Sequence, residues 1–532
     1  MFNPAKAAAE IKKEYIGYIS TTYHFRDPLI QSQLKYELDR TVSNGPFVEI
    51  KDTFETGKSI KQLIDAGVLS PLFFELEKDK TYKPKLPLDR PLYLHQEKAI
   101  NKIVAGENVV VSTGTGSGKT HCFLIPVINE LLREQEVGAL NDGVRAIFIY
   151  PMNALANDQI KGLREILMTY PQITFGVYNG GTEYEEKAAE KLYEAMYANE
   201  KYPELQKRLA NERLSRNEMK KHPPHILFTN YAMLEHLLFR PGDDVLFTHS
   251  NFKFIVLDEA HVYGGAVGIE TALLMGRLKA RLGDSDPQFI LTSATLGDRS
   301  SESMERVVDF ASKLTGRCFE QENIIYADRR KQHYSREYTY PEKLFIDLAS
   351  EEKSVKQILS EYRIAFDADH DDQEILYDLL IGSDLYANMR ELGELIILDD
   401  FVRRLRISRE AAVAFVSQCA KAKKDGKVLI DIRYHYFLRA LDGGYMAIDH
   451  PRSFSLTRRD LYDETIKMFE VGVCDDCGEL AIIGKQDNGK LVRAGISDVR
   501  EYYQIIDGKD VGEFEDDDES HEKERKHKGQ FI

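Results

Sequence analysis

The sequence predicts an α/β fold built on a parallel sheet with helices on both faces. The first observation is that short apolar runs alternate with loops and helix-like segments between residues 92 and 296. This alternation is typical of a parallel sheet covered by helices. The second is that polar and Gly-rich motifs follow the runs, at the carboxyl ends where such sheets bind ligands. The runs end at Val111, Tyr150, Val177, Phe228, Leu257 and Leu291.

The residues before this sheet have a different pattern. Residues 1–90 alternate helical periodicity, as at 7–19, with turn signals such as Asn44-Gly45-Pro46. Residues 183–221 are a highly charged stretch inserted before one predicted strand. For this stretch we favour a solvated helical excursion over a nucleic-acid contact.

After residue 298 the alternation of strands and helices stops. Helical patterns at 397–406 and 409–421 precede strand-like runs at 428–430 and 444–448, which suits a winged-helix-like arrangement. We therefore expect five segments: an N-terminal helical segment (1–90), the sheet-bearing lobe (91–298), a mostly helical, winged-helix-like accessory region (299–460), a Cys-x-x-Cys segment (461–510) and a charged, disordered tail (511–532).

Composition narrows the class of protein. The chain has 532 residues, of which 43% are hydrophobic, so several domains with their own cores are expected. No apolar run approaches the ~18 residues that a membrane span needs, and the N-terminus lacks signal-peptide features. Five cysteines in this length do not make a disulfide framework, so a reducing cytoplasm is expected. The net charge of −16 disfavours a nucleic-acid partner without excluding a local basic groove.

Two motifs predict a nucleoside-triphosphate site. Residues 112–120 read Ser-Thr-Gly-Thr-Gly-Ser-Gly-Lys-Thr after a strand-like run, and residues 257–261 read Leu-Asp-Glu-Ala-His after another. In the first, backbone N–H groups cradle phosphates, Lys119 neutralises them and the Thr120 hydroxyl binds Mg²⁺. In the second, Asp258 and Glu259 supply a metal contact and a group that positions or activates water.

Further polar groups follow the other runs. Gln96 precedes the phosphate loop, and its amide could hydrogen-bond an adenine edge and so select ATP. Ser293 and Thr295 follow the run that ends at Leu291 and could couple the nucleotide site to a neighbouring groove. That groove would bind phosphates along a nucleic-acid strand through small polar turns at Asn153, Gly180, Gly181, Thr229 and Asn230.

Taken together, the motifs resemble the first RecA-like lobe of a superfamily 2 helicase. The order of the motifs, from Gln96 through the phosphate loop and the Asp-Glu-Ala-His box to Ser293-Ala294-Thr295, is that of the superfamily. The chain is most similar to the large Lhr/YprA-like group of DEAH-type helicases, some of which serve in bacterial antiphage systems such as Druantia and DISARM. The resemblance extends to the segments around residues 18–23, 263–265 and 433–439 and to the Cys pair. It implies ATP and Mg²⁺ as cofactors and nucleic acid as partner, with DNA preferred over RNA.

The resemblance assigns a role to each matching position. Asp258 would hold Mg²⁺ through water, Glu259 would be the catalytic base, and Gln96 would read adenine. The group that would bind the phosphates and Mg²⁺ comprises Thr115, Gly116, Ser117, Gly118, Lys119 and Thr120. The residues that would link hydrolysis to strand movement are His261, Ser293 and Thr295.

One expected part of such a motor has no counterpart. A superfamily 2 helicase needs a second RecA-like lobe with an arginine finger in a Gln-x-x-Gly-Arg-x-x-Arg setting, and no segment matches it; Gly316-Arg317 lacks the rest. We therefore expect the chain to be the N-terminal part of a larger helicase or one subunit of a split one. Two hypotheses stay open: an ATP-driven helicase or translocase, and an ATP-responsive subunit that binds nucleic acid or a partner without turnover.

Two further sets of residues have alternative interpretations. Cys474 and Cys477 have the spacing of a zinc knuckle, but tetrahedral Zn²⁺ needs four ligands, so the site would be incomplete here. Arg433 and Arg439, with His435 between them, could grip nucleic acid or could pack an accessory domain. The other cysteines, Cys122, Cys318 and Cys419, lie in apolar contexts and are expected in the core.

Overall fold

The computed structural model describes residues 3–77, 85–114, 116–198, 200, 203–248, 251–283, 285–448, 450–462, 465–475, 477–494, 499–504 and 529–531. The chain forms two compact units, one of residues 54–330 and one of residues 1–53 with 331–532. Of the predicted disordered tail only residues 529–531 are described, and for these the prediction is wrong, since they form a strand that pairs with residues 472–474. Within the described residues, no helix is long and apolar enough to cross a membrane.

The helices of the described residues are numbered in chain order. In chain order they are α1 (Pro4–Thr22), α2 (Pro28–Thr41), α3 (Ile60–Asp65), α4 (Phe73–Leu76), α5 (Leu94–Val104), α6 (Lys119–Glu136), α7 (Asn153–Leu167), α8 (Glu186–Tyr197), α9 (Arg216–Lys221), α10 (Tyr231–Phe239), α11 (Val245–Thr248), α12 (Gly265–Leu282), α13 (Ser301–Thr315), α14 (Glu342–Ser350), α15 (Val355–Glu361), α16 (Asp372–Ile381), α17 (Asp384–Arg390), α18 (Leu398–Leu405) and α19 (Arg409–Lys421).

The strands of the described residues are also numbered in chain order. In chain order they are β1 (Ser43–Lys51), β2 (Thr56–Ser59), β3 (Pro91–Tyr93), β4 (Val109–Ser112), β5 (Ala146–Tyr150), β6 (Phe175–Val177), β7 (Glu212–Arg213), β8 (Ile226–Asn230), β9 (Phe254–Leu257), β10 (Gln288–Ser293), β11 (Ile324–Tyr326), β12 (Leu395–Ile397), β13 (Lys423–Lys424), β14 (Lys427–Val428), β15 (Asp431–Leu438), β16 (Gly444–Ala447), β17 (His450–Ser455), β18 (Leu461–Tyr462), β19 (Ile466–Lys467), β20 (Phe469–Cys474), β21 (Leu480–Asp487), β22 (Lys490–Val492), β23 (Glu501–Gln504) and β24 (Gly529–Phe531).

The unit of residues 54–330 is built on an eight-stranded sheet in the order β11-β4-β10-β9-β5-β8-β6-β7. Every pair in this sheet is parallel. The predicted α/β fold is therefore confirmed, and the six predicted runs are strands β4, β5, β6, β8, β9 and β10. The sheet also has two strands that no apolar run predicts, β7 and β11, at its two edges.

Alternate residues of each strand contribute to two separate cores. Phe148 of β5 belongs to a core with α5, α6 and α7, whereas Ile147 belongs to a core with α10, α12 and α13. Because successive side chains of a strand point to opposite faces, a strand that is buried on both faces has a continuous apolar run. The helices thus cover both faces of the sheet, as predicted.

The charged insert at 183–221 has a buried polar centre. The prediction of a solvated helical excursion did not foresee this buried centre. Arg164 of α7 is 1% exposed, and its Nε lies 3.1 Å from Oε2 of Glu212. The Tyr193 hydroxyl donates to the same carboxylate oxygen at 2.8 Å, and the guanidinium lies 4.0 Å from the Tyr197 ring centroid. Burial raises the pKa of Glu212, and the positive charge of Arg164 opposes this rise. The insert is therefore anchored to the lobe through one buried arginine.

The described part of the unit of residues 1–53 with 331–532 contains two large cores and a small cluster of Tyr445, Ala447 and Met468. Helices α14 to α19 pack around one of the large cores with Val48 and Ile50 of β1. In the other, α1 and α2 pack with strands β16, β17, β20 and β21. The mostly helical character predicted for the accessory region is thus observed from α14 to α19.

Strand pairing in this unit differs from the predicted pattern. Strand β1 covers the predicted turn at 44–46 and pairs with β12 and β15, with a register shift between Asn44 and Phe47. Strand β16, predicted at 444–448, pairs with β17 and β20, whereas Val428 belongs to the β13–β14 hairpin. The two strands predicted as the wing therefore lie in different sheets, because the N-terminal strand β1 pairs with the chain after α19.

Two of the three cysteines predicted in the core are buried, namely Cys122 and Cys419. The prediction for Cys318 is wrong, since this residue is exposed. Helix α13 ends at Gly316, which has a left-handed φ of 63°, and the chain then places Phe319 in the core instead. The five predicted segments stay a prediction, although the sheet-bearing unit begins well before residue 91.

We expect Arg164→Met to destabilise the sheet-bearing unit by about 3–5 kcal/mol, because it leaves Glu212 buried without its cation. The measurement is the midpoint of urea unfolding. In the double variant Arg164→Met/Glu212→Met the buried charge is gone, so most of this loss should be recovered. Equal destabilisation in the single and double variants would show that the ion pair is not what anchors the insert.

Candidate nucleotide site

The phosphate loop lies between strand β4 and helix α6, which begins at Lys119. Gly116 and Gly118 have left-handed φ values of 77° and 71°. A Cβ at Gly118 would lie 2.5 Å from Nε2 of Gln96, so only glycine fits this position. The loop therefore brings backbone N–H groups and a helix N-terminus to one place, which is an anion-binding arrangement. Thr115, predicted to bind phosphate, lies outside the described residues.

Neighbouring strands hold this loop in place. The Thr113 backbone N–H donates to the Ser293 carbonyl at 3.0 Å, across the β4–β10 pair. The Thr113 and Ser117 hydroxyls lie 2.6 Å apart in the buried interior of the loop. Ser117, predicted as a phosphate contact, is fully buried, so its side chain stabilises the loop and its backbone is the part that remains for a ligand.

Gln96 and His95 fasten helix α5 to the loop. The Gln96 side chain accepts from the Tyr93 N–H at 2.8 Å and donates to the Gly118 carbonyl at 2.9 Å. His95 Nε2 lies 2.9 Å from the Ser117 carbonyl, and burial lowers the pKa of this histidine. Both ends of the Gln96 amide thus have backbone partners here, and its contact with adenine stays a prediction.

Charged and hydroxyl groups converge beyond the loop. Lys119 Nζ lies 3.1 Å from Oε1 of Glu259, with both side chains largely buried. The Thr120 hydroxyl donates to Oε1 of Gln159 at 2.9 Å. Asp258 accepts from the Thr292 hydroxyl. The phosphate-loop cation and both acidic residues are thus brought together as the motif spacing predicts.

The electrostatics of Asp258 suit a cation. Burial raises the pKa of this carboxyl, and the adjacent Glu259 charge raises it further, while Thr292 and Lys119 oppose the rise. A divalent cation would remove this penalty, because it favours the ionised form of a nearby carboxylate. The donor set of Asp258 and Thr120 consists of oxygens, which is the ligand type that Mg²⁺ prefers.

A chain of contacts leads away from Glu259. This residue has a left-handed backbone with φ 48° and ψ 47°, a conformation that costs a non-glycine residue ~1–3 kcal/mol. His261 Nδ1 lies 3.3 Å from Oε2 of Glu259 and 3.0 Å from the Ser293 hydroxyl. The Thr295 backbone N–H donates to the Ser293 hydroxyl at 3.1 Å. The three residues predicted to couple hydrolysis to movement therefore form one connected path.

Three residues at this site carry no individual signal in the sequence. Gln159 reaches Thr120 from the second turn of α7, Thr292 holds Asp258, and His95 supports the loop. Thr292 and His95 each adjoin a residue that the motifs identify, namely Ser293 and Gln96. Their contacts depend on strand order, which neighbouring sequence positions do not encode.

The predicted nucleic-acid turns lie along the carboxyl edge of the sheet. The Asn230 side chain donates to Oδ1 of Asn153 at 2.7 Å and also caps helix α10 through the Met233 N–H. Thr229 is buried, and its hydroxyl donates to the Tyr178 carbonyl at 2.8 Å. Of these side chains, only the exposed parts of Asn153 and Asn230 are placed to meet a ligand.

The turn at Gly180 and Gly181 completes this edge. The Gly181 N–H donates to Oδ1 of Asn179 at 2.9 Å, and Arg216 donates to the carbonyls of Asn179 and Gly180. A Cβ at Gly180 would meet nothing within 4 Å, so space above the turn is open. A groove runs from this turn to Asn153 of α7.

The remaining predicted residues lie in the other unit. Arg433 and Arg439 are exposed and pair with Asp431 at 3.2 Å and Asp442 at 3.0 Å. The loop of Cys474 and Cys477 closes through the Gly478 N–H, which donates to the Cys474 carbonyl. Within the described part of the chain, no three His, Cys, Asp or Glu side chains are grouped to hold a metal ion. A zinc site at the Cys pair therefore has no support from the residues that the structure describes.

Gly478 gives the Cys loop a packing role. Its φ of +73° is left-handed, and a Cβ there would lie 2.8 Å from the His24 carbonyl. The Arg26 N–H donates to the Gly478 carbonyl at 2.7 Å. The glycine is thus explained by its close contact with the chain after α1.

Fold and site together define a RecA-like nucleotide-binding lobe. A family model for the DEAD/DEAH box helicase matches residues 93–304, so this part of the chain is a DEAD/DEAH box helicase domain. A second model, for the YjiV N-terminal domain, matches residues 454–531. The resemblance found in the motifs is confirmed.

The chain is also similar to a Druantia protein and to ATP-dependent helicases. The chain is 27% identical to the Druantia protein DruE of Escherichia coli over 81% of its own length and 29% of the relative. It is 30% identical to the helicase YprA of Bacillus subtilis, over 42% of its length and 26% of that protein. A crystal structure of the helicase MrfA bound to DNA matches 53% of the chain and 30% of that chain at 25% identity, with a TM-score of 0.36. The chain spans less than a third of each of these proteins.

We expect Lys119→Ala to raise the Kd for Mg²⁺-ATP by roughly 10- to 150-fold, since a charge-assisted hydrogen bond contributes about 1.5–3 kcal/mol. The measurement is isothermal titration calorimetry with a parallel unfolding curve. Lys98→Ala is the matched control, because Lys98 forms an exposed pair with Asp328 in the same unit. Unchanged affinity in folded Lys119→Ala protein would refute the assignment of this site.

Proposed function

We propose that the chain supplies the first motor lobe of an ATP-dependent superfamily 2 helicase or translocase that acts on DNA. The observation that carries the proposal is the meeting of Lys119 and Glu259 at the end of the sheet, where the phosphate loop and the Asp-Glu-Ala-His box adjoin the Ser293 turn. The helicase relatives support an ATP-dependent activity of this type.

The residues at the site fit a bound Mg²⁺-ATP. The N–H groups of the glycine loop and Lys119 would hold the phosphates, and Thr120 and Asp258 would hold the metal. Bound in this way, Mg²⁺-ATP supplies a polarised γ-phosphoryl group for attack by water. The residues of the chain would orient the phosphates and the metal and would provide the proton acceptor, Glu259.

We propose that bound phosphate changes the partner of Lys119. In this structure Lys119 and Glu259 neutralise each other at 3.1 Å. A phosphate offers Lys119 a stronger anionic partner, and this exchange would release Glu259. The released carboxylate can then position a water molecule and accept its proton. Phosphate binding would in this way free the proposed base.

Movement would pass along the path from Glu259 through His261 to Ser293. Any change in the position of Glu259 alters the His261 contact, and His261 shares Ser293 with the Thr295 N–H. The Ser293 carbonyl also accepts from the Thr113 N–H, so the path that starts at Glu259 leads to the phosphate loop.

We place the nucleic-acid strand along the edge formed by Asn153, Asn230 and the Gly180-Gly181 turn. Backbone N–H groups and short amides bind phosphates and sugars without reading bases. Arg433 and Arg439 are further candidates, because exposed ion pairs contribute only ~0–1 kcal/mol and can exchange an acidic partner for a phosphate.

Turnover requires a second lobe. The described residues contain one parallel sheet, and the other described sheets are antiparallel. In related phosphoryl transfer an arginine finger contributes ~10³–10⁵ in rate, and we propose that a second RecA-like lobe, continuous with this chain or on a partner subunit, supplies it. The relation to DruE favours a role in antiphage defence.

We expect Glu259→Gln to retain Mg²⁺-ATP binding and to stop hydrolysis in the assembly that contains the second lobe. The amide keeps the shape of the side chain but cannot accept the proton of water. The measurement is single-turnover hydrolysis with and without DNA, and Glu305→Gln, an exposed change on α13, is the control.

The same assay decides between motor and binding subunit. DNA-stimulated hydrolysis in the assembly, and little by the chain alone, supports the motor. DNA binding that responds to ATP without hydrolysis in any assembly supports the alternative of an ATP-responsive binding subunit. Normal hydrolysis by Glu259→Gln would contradict its role as the base.

We expect DNA affinity to fall steeply with salt and to change little with sequence. Replacing Arg433 and Arg439 by Gln should flatten the slope of log K against log salt by about two units if both contact phosphates. Arg403→Gln/Arg409→Gln is the control, because these arginines form similar exposed pairs in the same unit. An unchanged slope would assign Arg433 and Arg439 to packing.

A further inference from the structure

A polar cavity of about 380 Å³ lies in the unit that carries the C-terminal antiparallel sheet. Three arginines, Arg458, Arg493 and Arg500, line it together with Tyr445, Glu470 and Ile483. Its volume is in the range of about 300–1,000 Å³ that is usual for small-ligand sites. The helicase domain at 93–304 does not include any of these residues.

Arg493 and Arg500 are held in position by partners of their own. Arg493 Nε donates to the Met468 carbonyl at 2.5 Å, and its other nitrogens contact the Asp460 carbonyl and carboxylate. Arg500 Nη1 lies 3.1 Å from Oε1 of Glu470. A guanidinium has five N–H donors, so this single bond leaves Arg500 with donors for a ligand. The cavity wall therefore carries two guanidinium groups that are held by partners, beside the carboxylate of Glu470.

Arg458 and Tyr445 have unused donors at the same cavity. Among the described residues, neither the Arg458 guanidinium nor the Tyr445 hydroxyl has a hydrogen-bond partner. Burial raises the pKa of Tyr445, so its hydroxyl is a protonated donor at neutral pH. The carboxylate of Asp442 also lines the cavity, but Arg439 pairs with it at 3.0 Å. An anion is the ligand that these donors lack.

We propose that this cavity binds the phosphate group of a nucleotide-sized ligand. Arg458, Arg500 and the Tyr445 hydroxyl would hold the phosphate, because guanidinium groups bind phosphate oxygens in a paired, planar geometry. The Tyr445 ring and Ile483 give the cavity an apolar wall for the sugar or base. The phosphate belongs either to a free nucleotide or to the terminal nucleotide of a strand. This site is independent of the proposed motor function.

The test is calorimetric titration with deoxyadenosine 5′-monophosphate, inorganic phosphate and short single strands with and without a 5′-phosphate. All proteins carry Lys119→Ala, so that the phosphate loop contributes little binding. We expect Arg458→Ala to weaken binding at least about tenfold and Tyr445→Phe to weaken it severalfold, as loss of charged and neutral hydrogen bonds predicts. Arg459→Ala is the control, since this exposed neighbour does not line the cavity.

The ligands together show whether the bound phosphate belongs to a free nucleotide or to a strand end. If Arg458→Ala weakens binding of the monophosphate, the ligand is a free nucleotide. If it weakens binding of 5′-phosphorylated strands only, the ligand is the end of a strand. If inorganic phosphate binds as tightly as both, the nucleotide part of the proposal is overturned. If Arg458→Ala and Arg459→Ala bind every ligand equally, the site itself is refuted. Circular dichroism confirms that each variant is folded, and Tyr445→Phe keeps the ring that packs in the wall.

Discussion

The parallel pairing of β4 with β10 and of β10 with β9 is the constraint on which the nucleotide site depends. Ser112 lies opposite Ser293 in one pair, and Leu291 lies opposite Leu257 in the other. Parallel strands end at the same edge of a sheet, so three loops that are far apart in sequence begin side by side. The phosphate loop, the Ser293 turn and the Asp-Glu-Ala-His box are neighbours for this reason alone. A change in strand order would leave every motif intact and separate the residues.

The site stores unfavourable features that a ligand would relieve. Lys119 is 11% exposed and has one carboxylate partner, Asp258 has a raised pKa, and Glu259 has a left-handed backbone. Each feature has a cost on its own, and a bound anion and divalent cation would offset it. The Lys119–Glu259 pair substitutes for the phosphate contact and keeps both charges compensated. The same exchange of partners would connect nucleotide binding to the His261–Ser293 path.

Local patterns predicted the centre of the fold and the site, because buried parallel strands and glycine loops are encoded by adjacent residues. Strand β7 was missed because its two residues, Glu212 and Arg213, are polar, and β11 was missed because it follows the point where the alternation of runs stops. The pairing of β1 with β15 joins residues that are hundreds of positions apart, and no local pattern encodes it. The burial of the Arg164–Glu212 pair was missed for the same reason. Charged residues are expected to be solvated, and only the tertiary packing shows that these two are buried. Contacts of Gln96 and Thr292 likewise follow from strand order.

The central claim is that phosphate replaces Glu259 as the partner of Lys119. The most direct measurement is a crystal structure of the chain with Mg²⁺ and a non-hydrolysable ATP analogue. We expect Lys119 Nζ to contact the phosphates and to lie beyond ion-pair distance of Glu259, with Glu259 facing the terminal phosphate. A bound analogue with Lys119 still 3.1 Å from Glu259 would contradict this expectation.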